Sequence, residues 1–133
     1  MNNSLTTKAD TIKVLIVDDS FLMRRIIRNI IEKDHAMEVV GEAPDGVVAL
    51  EKVAELAPDV ILLDIEMPNM DGITFVQEVK KLPMYKFTPI IMLTTESQEG
   101  KKLQGQAAGA KAWVVKPFQP AQMLAAVSKL ILP

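Results

Sequence analysis

Five side chains of chemical interest each stand at the end of a short apolar run. Ile-Lys-Val-Leu-Ile-Val (12–17) runs into Asp18 and Asp19. Val-Ile-Leu-Leu (60–63) runs into Asp64. Pro-Ile-Ile-Met-Leu (89–93) runs into Thr94, and Ala-Trp-Val-Val (112–115) runs into Lys116. Runs this short, bounded by turn residues, read as strands buried on both faces. If the strands are parallel neighbours, one rim collects three carboxylates, a hydroxyl and a lysine. Ligands of open parallel sheets bind at that rim, outside the carboxyl ends of the strands.

Two like charges about 4 Å apart repel by about 4 kcal/mol at an effective dielectric of 20. Asp18, Asp19 and Asp64 together therefore need protons or a cation. Their donors are hard oxygens, which select magnesium, manganese or calcium. A site with few protein ligands and open positions suits magnesium, which keeps several waters and often shares a phosphate. Lys116 is a point charge suited to a phosphate oxygen, and the Thr94 hydroxyl can donate to another. An aspartate between them can attack phosphorus and become an acyl phosphate. The plainer readings are a helix-capping role for Asp18-Asp19 and a structural ion pair for Lys116.

The remaining residues supply the elements that must position this rim. Ser20 suits a helix N-cap, followed by Met23, Ile26, Ile27, Ile30 and Ile31 on one helical face. Arg24, Arg25 and Arg28 cover the other side as a solvated face balanced by Glu32 and Asp34, and His35 falls in the turn beyond. Residues 37–41 alternate weakly and suit an edge strand. Asp45 can cap a second helix carrying Val47, Leu50, Val53, Ala54 and Ala57, stopped by Pro58. Met-Pro-Asn-Met-Asp-Gly (67–72) forms a loop after Asp64. Asp71 can cap a third helix carrying Ile73, Val76, Val79 and Leu82. A fourth helix over about 97–108 has Leu103 as its apolar anchor and two interior glycines, Gly100 and Gly105. Each such Gly costs about 1 kcal/mol relative to Ala, so this helix is expected to be the most loosely held. The last helix starts near Pro120 and buries Met123, Leu124, Val127, Leu130 and Ile131.

Five strands alternating with five helices mean an α/β sandwich on a parallel sheet. The 133 residues suit one domain, with a polar arm over 1–11 and the folded unit over 12–132. The chain has no cysteine, which excludes disulfides, thiolate zinc sites and thiol catalysis. One histidine excludes a His-rich metal site. A net charge of −2 gives no basic surplus for nucleic acid. No apolar run spans a bilayer and no secretory signal is seen, so the cytoplasm is the expected location. A P-loop is absent.

The pieces Val17-Asp18-Asp19-Ser20, Asp64 with Met67-Pro68-Asn69-Met70-Asp71-Gly72, Leu93-Thr94-Thr95-Glu96 and Val115-Lys116-Pro117-Phe118 occur in one order. Together they resemble the receiver domain of two-component response regulators, most of all the stand-alone CheY-like kind. The resemblance covers residues 12–131. It implies a doubly wound, flavodoxin-like domain with strand order 2-1-3-4-5. It implies that Asp64 accepts phosphate from a sensor histidine kinase of the CheA-like type. Asp19, Asp64 and the carbonyl of Glu66 would bind Mg2+, or Mn2+ in its place, with Asp18 acting through a water. Lys116, Thr94 and the N–H groups of Glu66 and Thr95 would hold phosphate oxygens. Lys116-Pro117 would be cis. Trp113 matches a switch aromatic that is commonly Tyr or Phe, turning inward when Thr94 moves; periodicity alone reads it as core. Glu66 is expected to affect dephosphorylation.

The resemblance further implies a monomeric switch with no nucleic-acid or membrane partner. Its last helix, last strand and fourth helix would bind a target such as a flagellar motor switch protein, and a phosphatase would reset it. Two alternatives are a receiver cut from a multidomain regulator and a magnesium-dependent phosphohydrolase of the haloacid-dehalogenase type. The latter needs an Asp-x-Asp motif, and Asp64-Ile65-Glu66 is not one.

Overall fold

The computed structural model describes residues 11–65, 67, 70–95 and 99–131. Most of the 1–11 arm, Glu66, the expected start of the fourth helix at Ser97, and the end of the 12–132 unit lie outside the described residues.

Strand β1 (Ile12–Val17) is followed by α1 (Phe21–Glu32), β2 (Met37–Ala43), α2 (Gly46–Leu56) and β3 (Val60–Asp64). Then come α3 (Gly72–Lys80), β4 (Ile90–Thr94), α4 (Glu99–Ala108), β5 (Ala112–Val115) and α5 (Pro120–Ile131). All four strand pairings are parallel, in the order β2-β1-β3-β4-β5. Among the described residues no helix is long and apolar enough to cross a membrane.

Side-chain alternation divides the strands between two helical layers. Val14, Ile16, Val60, Leu62, Ile91 and Leu93 face one core with α1 and α5, through Ile27, Ile31, Met123 and Val127. Leu15, Val17, Ile61, Leu63 and Ile90 face the other with α2 and α3, through Val53, Phe75, Val76 and Val79. Strand β3 is buried along its whole length, as a run covered by helices on both faces must be.

The expected caps form. Ser20 Oγ accepts from the Met23 N–H at 3.1 Å, Asp45 Oδ1 from Val48 at 2.9 Å, and Asp71 Oδ1 from Thr74 at 2.8 Å. Helix α2 ends with Ala57 in the left-handed region, at φ 46°, just before Pro58.

Four expectations need correction. Strand β2 extends to Ala43, and its register with β1 slips between Val14–Val39 and Leu15–Gly41, leaving Val40 as an extra residue. Met37 and Val39 lie on the α1 side but Ala43, of the same parity, lies on the α2 side. That bulge is why the alternation in this segment looked weak. Ile26 and Val47 are exposed, each lying at the margin of its helix's apolar stripe; Ala54 and Ala57 are exposed too. Phe75, absent from the expected α3 face, is fully buried.

Leu103 does not anchor α4, being 60% exposed. The helix packs instead through Gly105, where an added Cβ would overlap the Met92 sulfur. Leu103 lies two residues earlier, about 200° around the helix, and so must point outward.

Candidate functional site

The strand order reverses direction between β1 and β3, which opens a crevice at their carboxyl ends. Asp18 leaves β1 there and Asp64 ends β3. With Asp19 they offer three carboxylate oxygens within 4.8 Å of one another. Asp18 is 1% exposed and Asp64 5%, whereas Asp19 is open to solvent. Lys116 follows β5. Its Nζ lies 3.3 Å from Asp64 Oδ1 and 4.0 Å from Asp18 Oδ2. Thr94 closes β4 and is 1% exposed. The Lys116 N–H donates to the Thr94 carbonyl at 2.6 Å, and the Lys116-Pro117 bond is cis. The strand ends thus bring the three carboxylates and Lys116 together, with Thr94 at the end of β4 between them in the strand order.

Two buried polar atoms in this hollow have no hydrogen-bond partner among the described residues: Asp18 Oδ2 and Thr94 Oγ1. Buried polar groups are nearly always paired, so these two atoms are open to a water, an ion or a ligand. The other Asp18 oxygen is used: Oδ1 accepts from the Ser20 N–H at 2.9 Å. Burial pushes the Asp18 carboxyl above its ordinary range. The Ser20 hydrogen bond and Lys116 oppose that, and neighbouring Asp19 adds to it. One lysine against three carboxylates leaves surplus negative charge. Hard oxygen donors, a buried carboxylate oxygen that accepts no hydrogen bond and surplus charge together fit a divalent cation such as Mg2+.

Thr95 is half-buried beside Thr94. Trp113 on β5 is half-buried and packs against Ile65, Met92 and Ala110. Lys102 of α4 stands 4.5 Å from its ring centroid. The roles expected of Glu66 lie outside the described residues.

The basic face of α1 differs from its expectation. Arg24 and Arg28 are not simply solvated but converge on Glu42 of β2, at 3.0 and 2.6 Å. Arg28 also pairs with Glu32 at 3.0 Å. Asp34 balances neither; it accepts from the Ala36 N–H in the turn after α1. Arg24 reaches the Asp18 carbonyl as well, at 2.7 Å. Spacing along α1 carried no sign of this, because Glu42 meets the arginines only through the sheet.

This fold and this rim define a receiver domain. Residues 14–128 match the response regulator receiver domain family, and the chain belongs to it. It is 41% identical over 119 residues to the chemotaxis protein CheY of Bacillus subtilis, covering 90% of this chain and 97% of that protein. It is 45% identical over 108 residues to a protein-glutamate methylesterase/protein-glutamine glutaminase of Sulfurimonas denitrificans, covering 80% of this chain. The chain spans about 30% of the length of that relative. The solved chemotaxis protein CheY4 of Vibrio cholerae superimposes with a TM-score of 0.82 at 43% identity, covering 90% of this chain and 98% of that one. Receiver domains are phosphoacceptors that take phosphoryl groups from histidine kinases.

Proposed function

We propose that this chain is a phosphorylation-gated switch of chemosensory signalling and that Asp64 is its phosphoacceptor. The observation that carries the reading is the meeting of Asp64 and Lys116 beside Asp18 and Asp19, with the buried, unbonded Thr94 hydroxyl at the end of the adjoining strand. An Asp64 oxygen attacks phosphorus of a kinase phosphohistidine. The P–O bond forms as the P–N bond breaks, and the imidazole leaves with the electron pair. The product is an acyl phosphate. Lys116 exchanges its Asp64 contact for a phosphoryl oxygen, and the Thr94 hydroxyl turns to donate to another. The Thr95 N–H, with that of Glu66, serves the remaining oxygens.

Asp18, Asp19, Asp64 and the Glu66 carbonyl would hold Mg2+, with Mn2+ as a substitute. When bound, the cation neutralises charge on the transferring group. Thr94 drawn toward the phosphoryl group leaves room that Trp113 can enter. The α4–β5–α5 face then changes for a downstream partner, for which the CheY relatives favour a component of chemotaxis such as a flagellar motor switch protein. A phosphatase would complete the cycle.

Acetyl phosphate with Mg2+ tests this. A switch yields one slowly decaying adduct on Asp64, while a phosphohydrolase of the haloacid-dehalogenase type gives sustained phosphate release. The methylesterase relatives favour a second reading of the output, in which the same switch governs an effector domain. Trp113 is the only tryptophan, so its fluorescence isolates this face. A shift on adding a motor-switch peptide to phosphorylated protein alone supports the first reading; no shift supports the second.

A further inference from the structure

Asp18 is held at three points. Its N–H donates to the Ala43 carbonyl of β2 at 3.0 Å, and its Oδ1 accepts from Ser20. Its carbonyl accepts from Arg24 Nη1 at 2.7 Å, while Arg24 Nε donates to Glu42 Oε1 at 3.0 Å. The Arg24 side chain is only 14% exposed. Glu42 reaches α1 because the extra residue in β2 reverses the strand's facing beyond Val40. The three bonds leave Oδ2 as the one Asp18 oxygen without a hydrogen bond among the described residues, facing Lys116 Nζ at 4.0 Å.

We propose that Arg24 is a positioning residue for cation binding. Braced by Glu42, its guanidinium fixes the β1–α1 turn so that Asp18 Oδ2 and Asp19 point into the hollow. This rests on the cation reading given above. The planar fork of an arginine can serve the carbonyl and the carboxylate at once, whereas a lysine offers a single point of charge. Groups behind a ligand commonly govern metal affinity as the ligands themselves do.

Electrostatics alone and positioning give opposite signs for the loss of Arg24. A cation beside an acidic hollow opposes metal binding, so deleting its charge should tighten binding if charge were all that mattered. Positioning predicts the opposite. Arg28 is the control: it binds the same Glu42 and carries the same charge, but among the described residues it donates to Glu42 and Glu32 and not to Asp18.

The full chain is titrated with Mn2+, free ion being read by electron paramagnetic resonance. Metal-free melting temperatures are recorded alongside. Arg24→Met keeps the apolar stem and should bind Mn2+ about tenfold more weakly. Arg28→Met should lose a comparable part of the melting temperature and keep its Mn2+ affinity within about twofold. Arg24→Lys should fall between wild type and Arg24→Met. It carries the test if Arg24→Met does not fold; wild-type affinity in Arg24→Lys would then overturn the proposal. Equal or tighter binding by Arg24→Met, or a matching loss in Arg28→Met, also overturns it. A wild-type chain that fails to bind Mn2+, or an Asp18→Asn chain that binds it as well as wild type, overturns the cation reading and this inference with it.

Discussion

The two sides of the rim are built differently. On the β1–β3 side, Asp18 and Asp64 leave strands whose every apolar side chain from Val14 to Val17 and from Val60 to Leu63 is fully buried. The turn after β1 is further tied by Ser20, Ala43 and Arg24. On the α4–β5 side, β5 is a four-residue edge strand, half-buried apart from Val114. Helix α4 presents Leu103 to solvent and touches Met92 through a glycine. Few buried contacts mean low local stability, and moving elements are drawn from that end of the range. Labour is divided between the two sides. The carboxylates proposed to meet a cation and to accept the phosphoryl group sit on the rigid side, whereas Lys116, proposed to hold a phosphoryl oxygen, and the surface proposed to change sit on the loose one.

Leucine truncation should expose the contrast most strongly. Leu63→Ala, in the fully buried β3, should cost about 2–5 kcal/mol in urea unfolding. Leu103→Ala should stay within about 0.5 kcal/mol. A large loss at Leu103 would mean that α4 is anchored after all.

The two α4 glycines sharpen the picture further. Gly100 has nothing within 4 Å of a built Cβ, so Gly100→Ala should stabilise by up to about 1 kcal/mol. Gly105→Ala meets the buried Met92 side chain and should instead cost about 1–3 kcal/mol. The same sign at both positions would contradict the close approach. On the rigid side, Asp45→Ala removes the α2 cap and should lower stability by about 1 kcal/mol, with the Mn2+ affinity unchanged.

The smallest effect is confined to acid. Burial pushes Glu42 up, but the hydrogen bonds and charges of Arg28 and Arg24 outweigh it and hold the carboxyl below its usual range. A group depressed in the folded state contributes stability above its unfolded pKa and loses it as pH falls through the folded value. Melting temperature should therefore drop on acidification below the ordinary glutamate range, and Glu42→Gln should flatten that limb. An unchanged acid limb in Glu42→Gln would show that the arginines bind it too weakly to matter.

Much of this was legible in the chain itself. Strand ends could be read because a parallel strand covered on both faces is a near-continuous apolar run, and the polar residue that stops it marks the rim. Asp18, Asp64, Thr94 and Lys116 were found that way. What stayed hidden depends on contacts between segments distant in sequence. Glu42 lies one residue beyond the segment expected as the edge strand, and only the skipped Val40 turns it toward Arg24 and Arg28. Leu103 looked like an anchor because periodicity counts apolar residues and not close approaches through glycine. Phe75 escaped for a related reason: i, i+3 counting from Ile73 follows Val76 and Val79 and passes over a ring beside that stripe.

Asp64 is proposed to supply the oxygen that forms the new bond to phosphorus. Intact-protein mass after acetyl phosphate and Mg2+ tests it most directly, in wild type and Asp64→Asn side by side. The account predicts a single phosphoryl adduct on the wild-type chain and none on Asp64→Asn. Full labelling of the Asp64→Asn chain would contradict it.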